Sequence, residues 1–363
     1  MIIGIDGNEA NLLEKVGVGQ YAFNLLTELS KLKSSHQYHI YLKKPPQPDM
    51  PPESNNWHYH VFGPQKMWTR FALPLYLYTH SPRLDYFYSP SHYSPFPCPC
   101  PTIPTIHDLG YLSTPEQFTK KDFYQLTRWT EQSLKKAKQI VAVSVFTKDE
   151  IVKIYNINPD KINVVYNGVG EPPQKIIKFI NPPYFAYVGT LKPNKNLPFL
   201  ITAFAKYLHS NALKHHSATA PKLVIAGKKG WLFNDIFATV KKEKNTDSVV
   251  FTDYITEEQK WSLYKSAIAT IIPSLYEGFG IPAIESQKVG TPVIASNIKV
   301  FTEILGSSAL FIDPTNIDSL VQALEKIQDK TTRNQLIKKS ISTSSRFTWI
   351  NSARSLQKLF DRL

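Results

Sequence analysis

Two glutamates, Glu277 and Glu285, lie eight residues apart in the stretch SLYEGFGIPAIESQKVGTPVIASN. The glycines between them, Gly278 and Gly280, let a backbone approach a ligand closely and expose its amides. Carboxylates accept hydrogen bonds from sugar hydroxyls, whereas amides and a helix N-terminus stabilise phosphate. The stretch therefore suits a polyhydroxylated ligand that carries a diphosphate. The simpler alternative is a structural turn followed by a glutamate that only complements a helix dipole.

The local pattern places the two acids on different elements. IATIIPS is typical of a buried strand, and IPAIESQKV of a short helix that follows it. Pro282 suits the first helical position, and Gly290 suits the residue just past the helix end. We therefore expect Glu277 on the strand-to-helix loop and Glu285 in the first helical turn or just beyond it.

The elements that must position these residues form two series along the chain. Continuous apolar runs such as MIIGID, YHIYL and TIPTIHDL in the first half, and YFAYVG, KLVIAG and PVIAS in the second, alternate with helix-length amphipathic stretches. This alternation predicts an α/β fold with two doubly wound, Rossmann-like domains that face a ligand-binding cleft. The predicted boundaries are 1–168 for the first domain, 169–183 for a Pro-rich linker, 184–345 for the second domain and 346–363 for a terminal helix.

Composition and charge narrow the class of protein. Of the 363 residues, 42% are hydrophobic and 20% charged, which is typical of a core-forming protein. No apolar run is long enough to span a bilayer, and the N-terminus lacks the basic flank of a signal peptide, so we expect a cytoplasmic location. The net charge of +13 suits an acidic surface or phosphorylated substrates. The lysines are scattered without a nucleic-acid-binding motif, which argues against a nucleic-acid partner.

Cys98 and Cys100 are the two cysteines of the chain, in the segment PFPCPCP. A spacing of one residue between prolines is poor geometry for a disulfide, and further soft metal ligands are not visible nearby. The sequence therefore predicts a reduced loop without a functional role.

The segment YEGFGIPAIE followed by GTPVIAS closely resembles the signature of family 4 glycosyltransferases, the large GT-B group of retaining, nucleotide-sugar-dependent enzymes. The resemblance implies that Glu277 contacts the transferred sugar and is a catalytic residue. It implies that Glu285 binds the nucleotide ribose, and that Gly278, Phe279, Gly280 and Ile281 contribute to donor binding.

A second resemblance to this family covers YFAYVGTLKPNKNLPFLITAF. It implies that Lys195 neutralises the donor diphosphate, with Gly189 and Thr190 lining the turn. Many relatives carry an arginine where Thr190 or Asn194 stands, so this chain departs from the family pattern there.

The basic segment IAGKKGW follows another strand and is similar to a segment common in the family. It makes Lys228 or Lys229 a candidate for the missing positive charge, although a solvated basic loop would look the same. We take Lys228 as the donor-binding candidate.

Three features of the first half resemble the acceptor side of the family. Gly17 and Gly19 match a glycine loop that lies against the donor phosphate, although a lone Gly-X-Gly is weak evidence by itself. His107, directly after an apolar strand, matches a His-Asp segment that faces the transferred sugar. Lys148 matches a further element near the cleft, whereas His92 is interpreted as structural. The last helix resembles one that crosses back to the first domain.

The resemblance implies a retaining, metal-independent hexosyl transfer to a hydroxyl of a glycan or lipid-linked acceptor, without a cofactor. In the front-face scheme proposed for such enzymes, the leaving phosphate deprotonates the incoming hydroxyl. The sequence pattern Gly-Thr-Leu-X-Pro is similar to that of mannosyltransferases, so GDP-mannose is the first choice of donor and a UDP-sugar the second. The excess of basic over acidic residues suggests that the protein acts at the anionic inner face of a membrane. The alternatives are a nucleotide-sugar epimerase of the same fold, a non-catalytic sugar-nucleotide or glycan-binding protein, and a nucleic-acid binder.

Overall fold

The computed structural model describes residues 1–15, 17–113, 115, 119–181, 183–212 and 220–363. Contacts within these residues group the chain into two units. The first unit comprises Met1–Gly168 and Thr348–Leu363, and the second comprises Val169–Phe347. The Pro-rich segment 169–183 is thus counted with the second unit.

The first unit is built on a parallel sheet in which every paired strand runs in the same direction. Its order is β3-β2-β1-β4-β5-β6-β7, which is the doubly wound order expected when crossovers leave from both sides of the first strand. The strands are β1 (Ile2–Asp6), β2 (Gln37–Leu42), β3 (Trp57–Val61), β4 (Tyr86–Ser89), β5 (Thr102–Ile106), β6 (Ile140–Ala142) and β7 (Ile162–Val164).

Helices connect these strands and cover the sheet. They are α1 (Val18–Lys31), α2 (Ala72–Thr79), α3 (Gly110–Ser113), α4 (Lys120–Lys136) and α5 (Val145–Tyr155). The chain's last helix, α13 (Trp349–Asp361), belongs to the same unit and packs against α1. Leu356, Leu359 and Phe360 on its apolar face are buried, which explains why the terminal segment folds with the first unit.

The second unit repeats this plan with a parallel sheet of order β10-β9-β8-β11-β12-β13. Its strands are β8 (Tyr184–Val188), β9 (Lys222–Ala226), β10 (Val249–Asp253), β11 (Thr270–Ile272), β12 (Val293–Ser296) and β13 (Ala309–Ile312). Its helices are α6 (Leu197–Ala212), α7 (Asn234–Lys242), α8 (Glu257–Ser266), α9 (Ile281–Lys288), α10 (Lys299–Leu305), α11 (Ile317–Lys326) and α12 (Lys330–Ser344). The buried apolar strands pack against α6 and α11 in one continuous core.

One strand was not expected from the sequence. β3, with the sequence WHYHV, alternates aromatic residues with histidines instead of forming an apolar run, and it lies at the edge of the first sheet beside β2. An edge strand is covered on fewer sides and needs no continuous apolar sequence. Within the described residues, no helix is both long and apolar enough to cross a bilayer.

Candidate functional site

The turn between β11 and α9 depends on Gly280. This residue has a φ of 99°, a conformation that side-chain-bearing residues rarely adopt. A Cβ built on it would lie 2.5 Å from the ring of Phe301. Glycine therefore lets the chain turn sharply and start α9 at Ile281, so that Pro282 is the second helical residue and not the first. Gly290 follows the helix with a positive φ of 76°, as the pattern predicts.

Glu277 lies on this turn and forms an ion pair with Lys195. Its Oε1 atom also accepts a hydrogen bond of 2.8 Å from the Ser274 hydroxyl. Both charged side chains of the pair are largely shielded from solvent. The structure thus brings together the carboxylate that the sequence analysis assigns to the sugar and the ammonium group that it assigns to the diphosphate.

Backbone contacts between two loops bring Lys195 to Glu277. Lys195 ends the short 3₁₀ turn Pro193–Lys195, which follows β8. The amide of Leu275 donates to the Asn194 carbonyl at 2.9 Å, and the Asn194 side chain donates to the Tyr276 carbonyl at 3.4 Å. Asn194 therefore joins the loop after β8 to the loop after β11.

The loop after β8 is also joined to the loop after β9. The amide of Gly189 donates to the Ala226 carbonyl, and that of Leu191 donates to the Lys228 carbonyl, both at 2.9 Å. A Cβ on Gly227 would lie only 2.0 Å from the Gly189 carbonyl oxygen, so the two strand ends touch through their backbones. Thr190 lies between these contacts.

Lys228 follows β9 and is partly buried, and its ammonium group lies 4.7 Å from the ring centre of Tyr254. Lys229 is exposed and lies 3.9 Å from a carboxylate oxygen of Asp253. Cation–π contacts hold an ammonium group in place without neutralising it. Lys228 is thus held against an aromatic ring, whereas Lys229 lies near a carboxylate as well as near the rings of Phe233 and Phe237.

Glu285 has a different environment from Glu277. It lies in the second turn of α9, where its Oε1 contacts the ammonium group of Lys260 at 2.7 Å and its Oε2 accepts from the Tyr264 hydroxyl at 3.0 Å. Burial raises the pKa of Glu285, and the contacts with Lys260 and Tyr264 oppose that rise. Lys260 and Tyr264 of α8 were not found from the sequence, because a lysine and a tyrosine on a helix carry no motif of their own.

The side chain of Phe279 is part of the core. It is 3% exposed and lies edge-on to Phe347, with the ring centres 5.5 Å apart. Gly278 is buried as well, whereas Ile281 at the start of α9 is partly exposed. What Phe279 can offer a ligand is consequently its backbone, not its ring.

In the first unit, Gly17 and Gly19 form the start of α1. Gly17 caps the helix with a φ of 52°, and its carbonyl accepts from the Tyr21 amide at 3.0 Å. Gly19 is buried, and a Cβ on it would lie 3.1 Å from the Glu9 carbonyl oxygen. No acidic residue stands in the first turn, so the positive end of the helix dipole is not neutralised by its own side chains.

His107 follows β5 and lies edge-on to the Tyr21 ring of α1, with the ring centres 4.6 Å apart. Its Nε2 donates to the Pro90 carbonyl at 3.0 Å, and its amide donates to Nε2 of His92 at 3.1 Å. Burial lowers the pKa of His107 to about 4, with a further contribution from His92. His107 is therefore neutral at pH 7 and next to the glycine loop, and His92 fixes its backbone.

Asp6 is a further residue that the sequence analysis did not select. It ends β1 and is buried, and its Oδ1 accepts from the Asn8 amide at 3.0 Å and from the Asn8 side chain at 2.7 Å. Burial raises its pKa to about 6. The sequence signal that could have identified Asp6 is an acidic residue at the end of the first apolar strand.

Lys148, a further candidate from the sequence, donates a hydrogen bond to the Ile162 carbonyl at 3.1 Å, which is a structural contact.

No three His, Cys, Asp or Glu side chains in the described part of the chain are grouped so as to hold a metal ion. The charges that the second unit presents at its strand ends include those of Glu277, Lys195 and Lys228, together with the N-terminus of α9. Such a set can bind hydroxyl groups and phosphate oxygens.

Two parallel, doubly wound units and a terminal helix that folds with the first unit define a glycosyltransferase of the GT-B class. Comparison with known families gives the more specific assignment. Residues 171–343 match the family model described as glycosyl transferases group 1, and residues 16–170 match the model described as glycosyltransferase family 4. The chain belongs to glycosyltransferase family 4.

Two curated relatives are mannosyltransferases. The O-antigen chain mannosyltransferase B of Escherichia coli is 26% identical over 74% of this chain and 72% of its own length. The O-antigen chain mannosyltransferase RfbU of Salmonella typhimurium is 32% identical over 62% of this chain and 60% of its own length, so the matched region leaves out more than a third of that relative.

The fold has close counterparts among solved structures. Anabaena Alr3699/HepE, crystallised with UDP and glucose, superposes with a TM-score of 0.73 over 100% of this chain and 99% of its own, at 14% identity. At this identity the likeness establishes the fold, and it confirms the two-domain GT-B architecture predicted from the sequence.

Proposed function

We propose that the protein transfers a hexose, with mannose as first choice, from a nucleoside-diphosphate sugar to a hydroxyl of a glycan or lipid-linked acceptor, with retention at the anomeric carbon. The observation that carries this proposal is the contact of Lys195 with Glu277 beside the N-terminus of α9. An ammonium group and helix amides suit a diphosphate leaving group, and the carboxylate suits a sugar hydroxyl. Two relatives named as mannosyltransferases support mannose.

The roles of the two glutamates follow from their partners. A donor diphosphate at Lys195 would take over the contact that Glu277 makes with this lysine, which frees the carboxylate to accept from a hydroxyl of the transferred sugar. Glu285 stays fixed by Lys260 and Tyr264 and would accept from the ribose hydroxyls. His107, neutral at pH 7 and with its Nε2–H bonded to the Pro90 carbonyl, has Nδ1 left to accept a hydrogen bond from a ligand hydroxyl.

The nucleotide is proposed as guanosine diphosphate, with uridine diphosphate as the alternative. A panel of GDP-, UDP- and ADP-sugars at equal concentration distinguishes them by thermal shift, because a ligand that binds only the folded state stabilises it more the tighter it binds. We expect GDP-mannose to raise the melting temperature most. Equal shifts from all three nucleotides, or none from any, would contradict the assignment of a selective donor site.

The direct test of catalysis is Glu277→Gln. We expect a loss of transfer of about 100-fold or more, since this change removes a charge placed at the reacting sugar, while circular dichroism stays that of the wild type. The matched control is Asp318→Asn, which breaks the solvent-exposed ion pair with Lys206 in the same unit and should leave transfer unchanged. Full turnover in a folded Glu277→Gln protein would remove this residue from the mechanism.

The two alternatives in which no sugar is transferred have distinct outcomes in the same assays. An epimerase would convert the nucleotide sugar without any acceptor, and a binding protein would show the thermal shift without a product. The mannosyltransferase relatives support neither of these.

We also propose that the protein binds an anionic lipid surface, where a lipid-linked acceptor would be found, and that α2 makes the contact. Phe71, Leu75 and Tyr78 are 66%, 67% and 58% exposed. Leu75 and Tyr78, three residues apart, lie on one face of α2, and Phe71 directly precedes the helix. Exposed aromatic and aliphatic side chains in such a row are costly in water and typical of helices that lie in a membrane interface.

Charge favours a lipid surface over a protein as the partner of this face. Residues 54–84 contain neither aspartate nor glutamate. Lys66 before α2 and Arg83 after it are both exposed. Cations beside an apolar row are attracted to anionic headgroups, each with about 1 kcal/mol near the membrane surface.

Vesicle sedimentation tests this contact. We expect the wild type to pellet with phosphatidylglycerol vesicles and not with phosphatidylcholine vesicles, and Phe71→Ser with Leu75→Ser to stay in the supernatant. The control pair, Ile154→Ser with Ile341→Ser, removes exposed apolar side chains elsewhere and should pellet like the wild type. Equal pelleting of both double variants contradicts the proposal. A wild type that dimerises through α2 would assign this face to a second copy of the chain.

A further inference from the structure

The two thiols of the chain lie next to each other. The Sγ atoms of Cys98 and Cys100 are 3.6 Å apart, although the sequence analysis expects their one-residue spacing to be unfavourable for a bond. Pro99 between them holds the backbone in a narrow range of φ, and both thiols turn to the same side of the loop. Each cysteine is free and partly exposed.

The loop that carries the cysteines joins β4 to β5. One residue, Pro101, separates Cys100 from the start of β5, whereas His107 follows the other end of that strand. The cysteines pack against an aromatic cluster that contains Tyr41 and Phe87, which fixes one side of the pair. The thiol pair is thus separated by the length of a strand from the residues assigned to sugar transfer.

We propose that Cys98 and Cys100 form a reversible redox site, which closes into an intramolecular disulfide by exchange with a small-molecule disulfide of the glutathione class. A disulfide requires the sulfurs at about 2.05 Å and the Cα atoms within about 4.4–6.8 Å. The sulfurs, 3.6 Å apart, must approach by about 1.5 Å to reach the bonding distance. Rotation of the side chains together with a small bend of the loop would bring them together.

The two thiols are chemically different. The hydrogen bond from Cys100 lowers the pKa of Cys98, whereas the same contact, burial and the nearby charge of Asp85 raise the pKa of Cys100. The thiolate is the species that attacks a disulfide. Either sulfur can be the donor in the 3.6 Å contact. We assign the attack to Cys98 and the resolution of the mixed disulfide to Cys100, an order that the serine variants test.

The exchange proceeds in two balanced steps. The Cys98 thiolate attacks one sulfur of oxidised glutathione, forms a mixed disulfide and releases one glutathione thiolate. The Cys100 thiolate then attacks Sγ of Cys98, forms the Cys98–Cys100 bond and releases the second glutathione. Two electrons pass from the protein to the oxidised glutathione, and the two thiol protons pass through solvent to the released thiolates. Because a ring of three residues is strained, we expect the disulfide to be easily reduced again.

Alkylation followed by intact-mass measurement tests the proposal. Each change in mass can be assigned to this pair, because the chain has two cysteines in all. The full-length protein is equilibrated in buffers of increasing oxidised-to-reduced glutathione ratio and then treated with iodoacetamide. We expect both alkylation sites to be lost together, without a retained glutathione, and to return together after dithiothreitol. Two free thiols at every ratio, or two retained glutathiones, would overturn the proposal.

Two serine variants test the assigned order of attack. Cys100→Ser should retain one glutathione on Cys98, because the resolving thiol is absent. Cys98→Ser should react several-fold more slowly, because the remaining thiol has the raised pKa. Equal rates of glutathione addition to both variants would contradict the assignment of Cys98 as the attacking thiol. Circular dichroism of each reduced variant shows that the fold is kept.

Discussion

At the scale of single residues, the two glutamates of the motif differ in how they are held. Glu277 lies on a loop and pairs with Lys195 from another loop, whereas Glu285 lies on a helix and is held by two side chains of a neighbouring helix. A carboxylate on a loop can change partners when a ligand arrives. A buried carboxylate held by a lysine and a tyrosine is fixed before the ligand arrives, which reduces the entropy lost on binding.

Lys260→Met tests the way in which Glu285 is held. The Lys260 and Glu285 side chains are 15% and 9% exposed, so we expect the loss of one partner to cost about 3 kcal/mol of unfolding free energy at pH 7. Without Lys260, the pKa of Glu285, already raised by burial, rises further. The cost should therefore shrink as the pH falls through the raised Glu285 pKa of the variant towards the lower, but still raised, pKa of the wild type, since a protonated Glu285 needs no cation.

Urea unfolding at pH 4 and pH 7 measures the difference between variant and wild type. Lys206→Met is the control, because the Lys206 and Asp318 side chains are 56% and 59% exposed and such pairs contribute at most about 1 kcal/mol. A cost for Lys260→Met that is equal at both pH values would show that Lys260 acts by packing and not by its charge.

At the scale of elements, α9 is a short helix whose start is set by one glycine. Gly280→Ala would place a Cβ against the Phe301 ring at a φ of 99°, and we expect a loss of about 2 kcal/mol of unfolding free energy. Donor affinity should fall as well, because the α9 amides and Glu285 move with the helix.

The control for this change is Gly306→Ala. Gly306 also has a positive φ, of 51°, but a Cβ on it meets open space. It should cost about 1 kcal/mol and leave donor affinity unchanged. Chemical denaturation and nucleotide titration of both variants make the comparison. Similar donor affinities in the two variants would mean that the position of α9 does not control binding.

The edge strand β3 and its neighbour β2 carry a second element-scale prediction. His39 Nδ1 lies 2.8 Å from His60 Nε2, and burial lowers the pKa of His39 to about 4, with contributions from His60 and His58. A lowered histidine pKa means that the folded state prefers the neutral ring. The contribution of His39 to the free energy of unfolding is therefore complete above the pKa of the unfolded state, about 6.5, and is lost as the pH falls towards 4.

We therefore expect His39→Phe to reduce the loss of unfolding free energy between pH 7 and pH 4.5, by up to about 3 kcal/mol. Urea titrations at the two pH values measure it. His209→Phe on α6, where the ring bonds the Ala205 carbonyl, is the control and should keep the wild-type pH dependence. If His39→Phe keeps that dependence as well, the acid sensitivity arises elsewhere.

The same elements show which parts of the fold the sequence predicts. The apolar runs that became β1, β8 or β12 are buried on both faces, and only such a position requires continuous hydrophobic residues. β3 lies at an edge and was missed because its histidines interrupt the pattern. The glutamate motif located the turn before α9 to within one residue, because a glycine and a proline there leave few backbone conformations.

The contacts at the candidate site were harder to predict from the sequence than the strands, for a different reason. Lys260 and Tyr264 lie far from Glu285 along the chain, and their contact depends on how α8 packs against α9. Phe279 belongs to the motif, yet its side chain serves the core. Spacing along a chain predicts which residues share a loop. It does not predict which side chains from different helices meet, or whether a motif residue acts through its backbone.

At the scale of the whole molecule, the chain returns to its first unit after completing the second. Trp349–Asp361 packs against α1, and the Ser352 hydroxyl donates to the Tyr166 carbonyl at 2.6 Å. A Cβ on Gly168 would lie 2.2 Å from the Trp349 amide nitrogen, so the end of the first segment and the start of the last are in direct contact. The first unit is consequently complete only when the last residues of the chain are present.

Leu356→Ala and Leu320→Ala test this division as a reciprocal pair. Both leucines are fully buried, Leu356 in α13 of the first unit and Leu320 in α11 of the second. Each change should cost about 2–5 kcal/mol of unfolding free energy locally. By hydrogen exchange, we expect Leu356→Ala to speed exchange in α1 while α6 stays protected, and Leu320→Ala to do the reverse. If Leu356→Ala instead loosened α6 and spared α1, the terminal helix would contribute to the second unit, and the assignment of residues 348–363 to the first would be wrong.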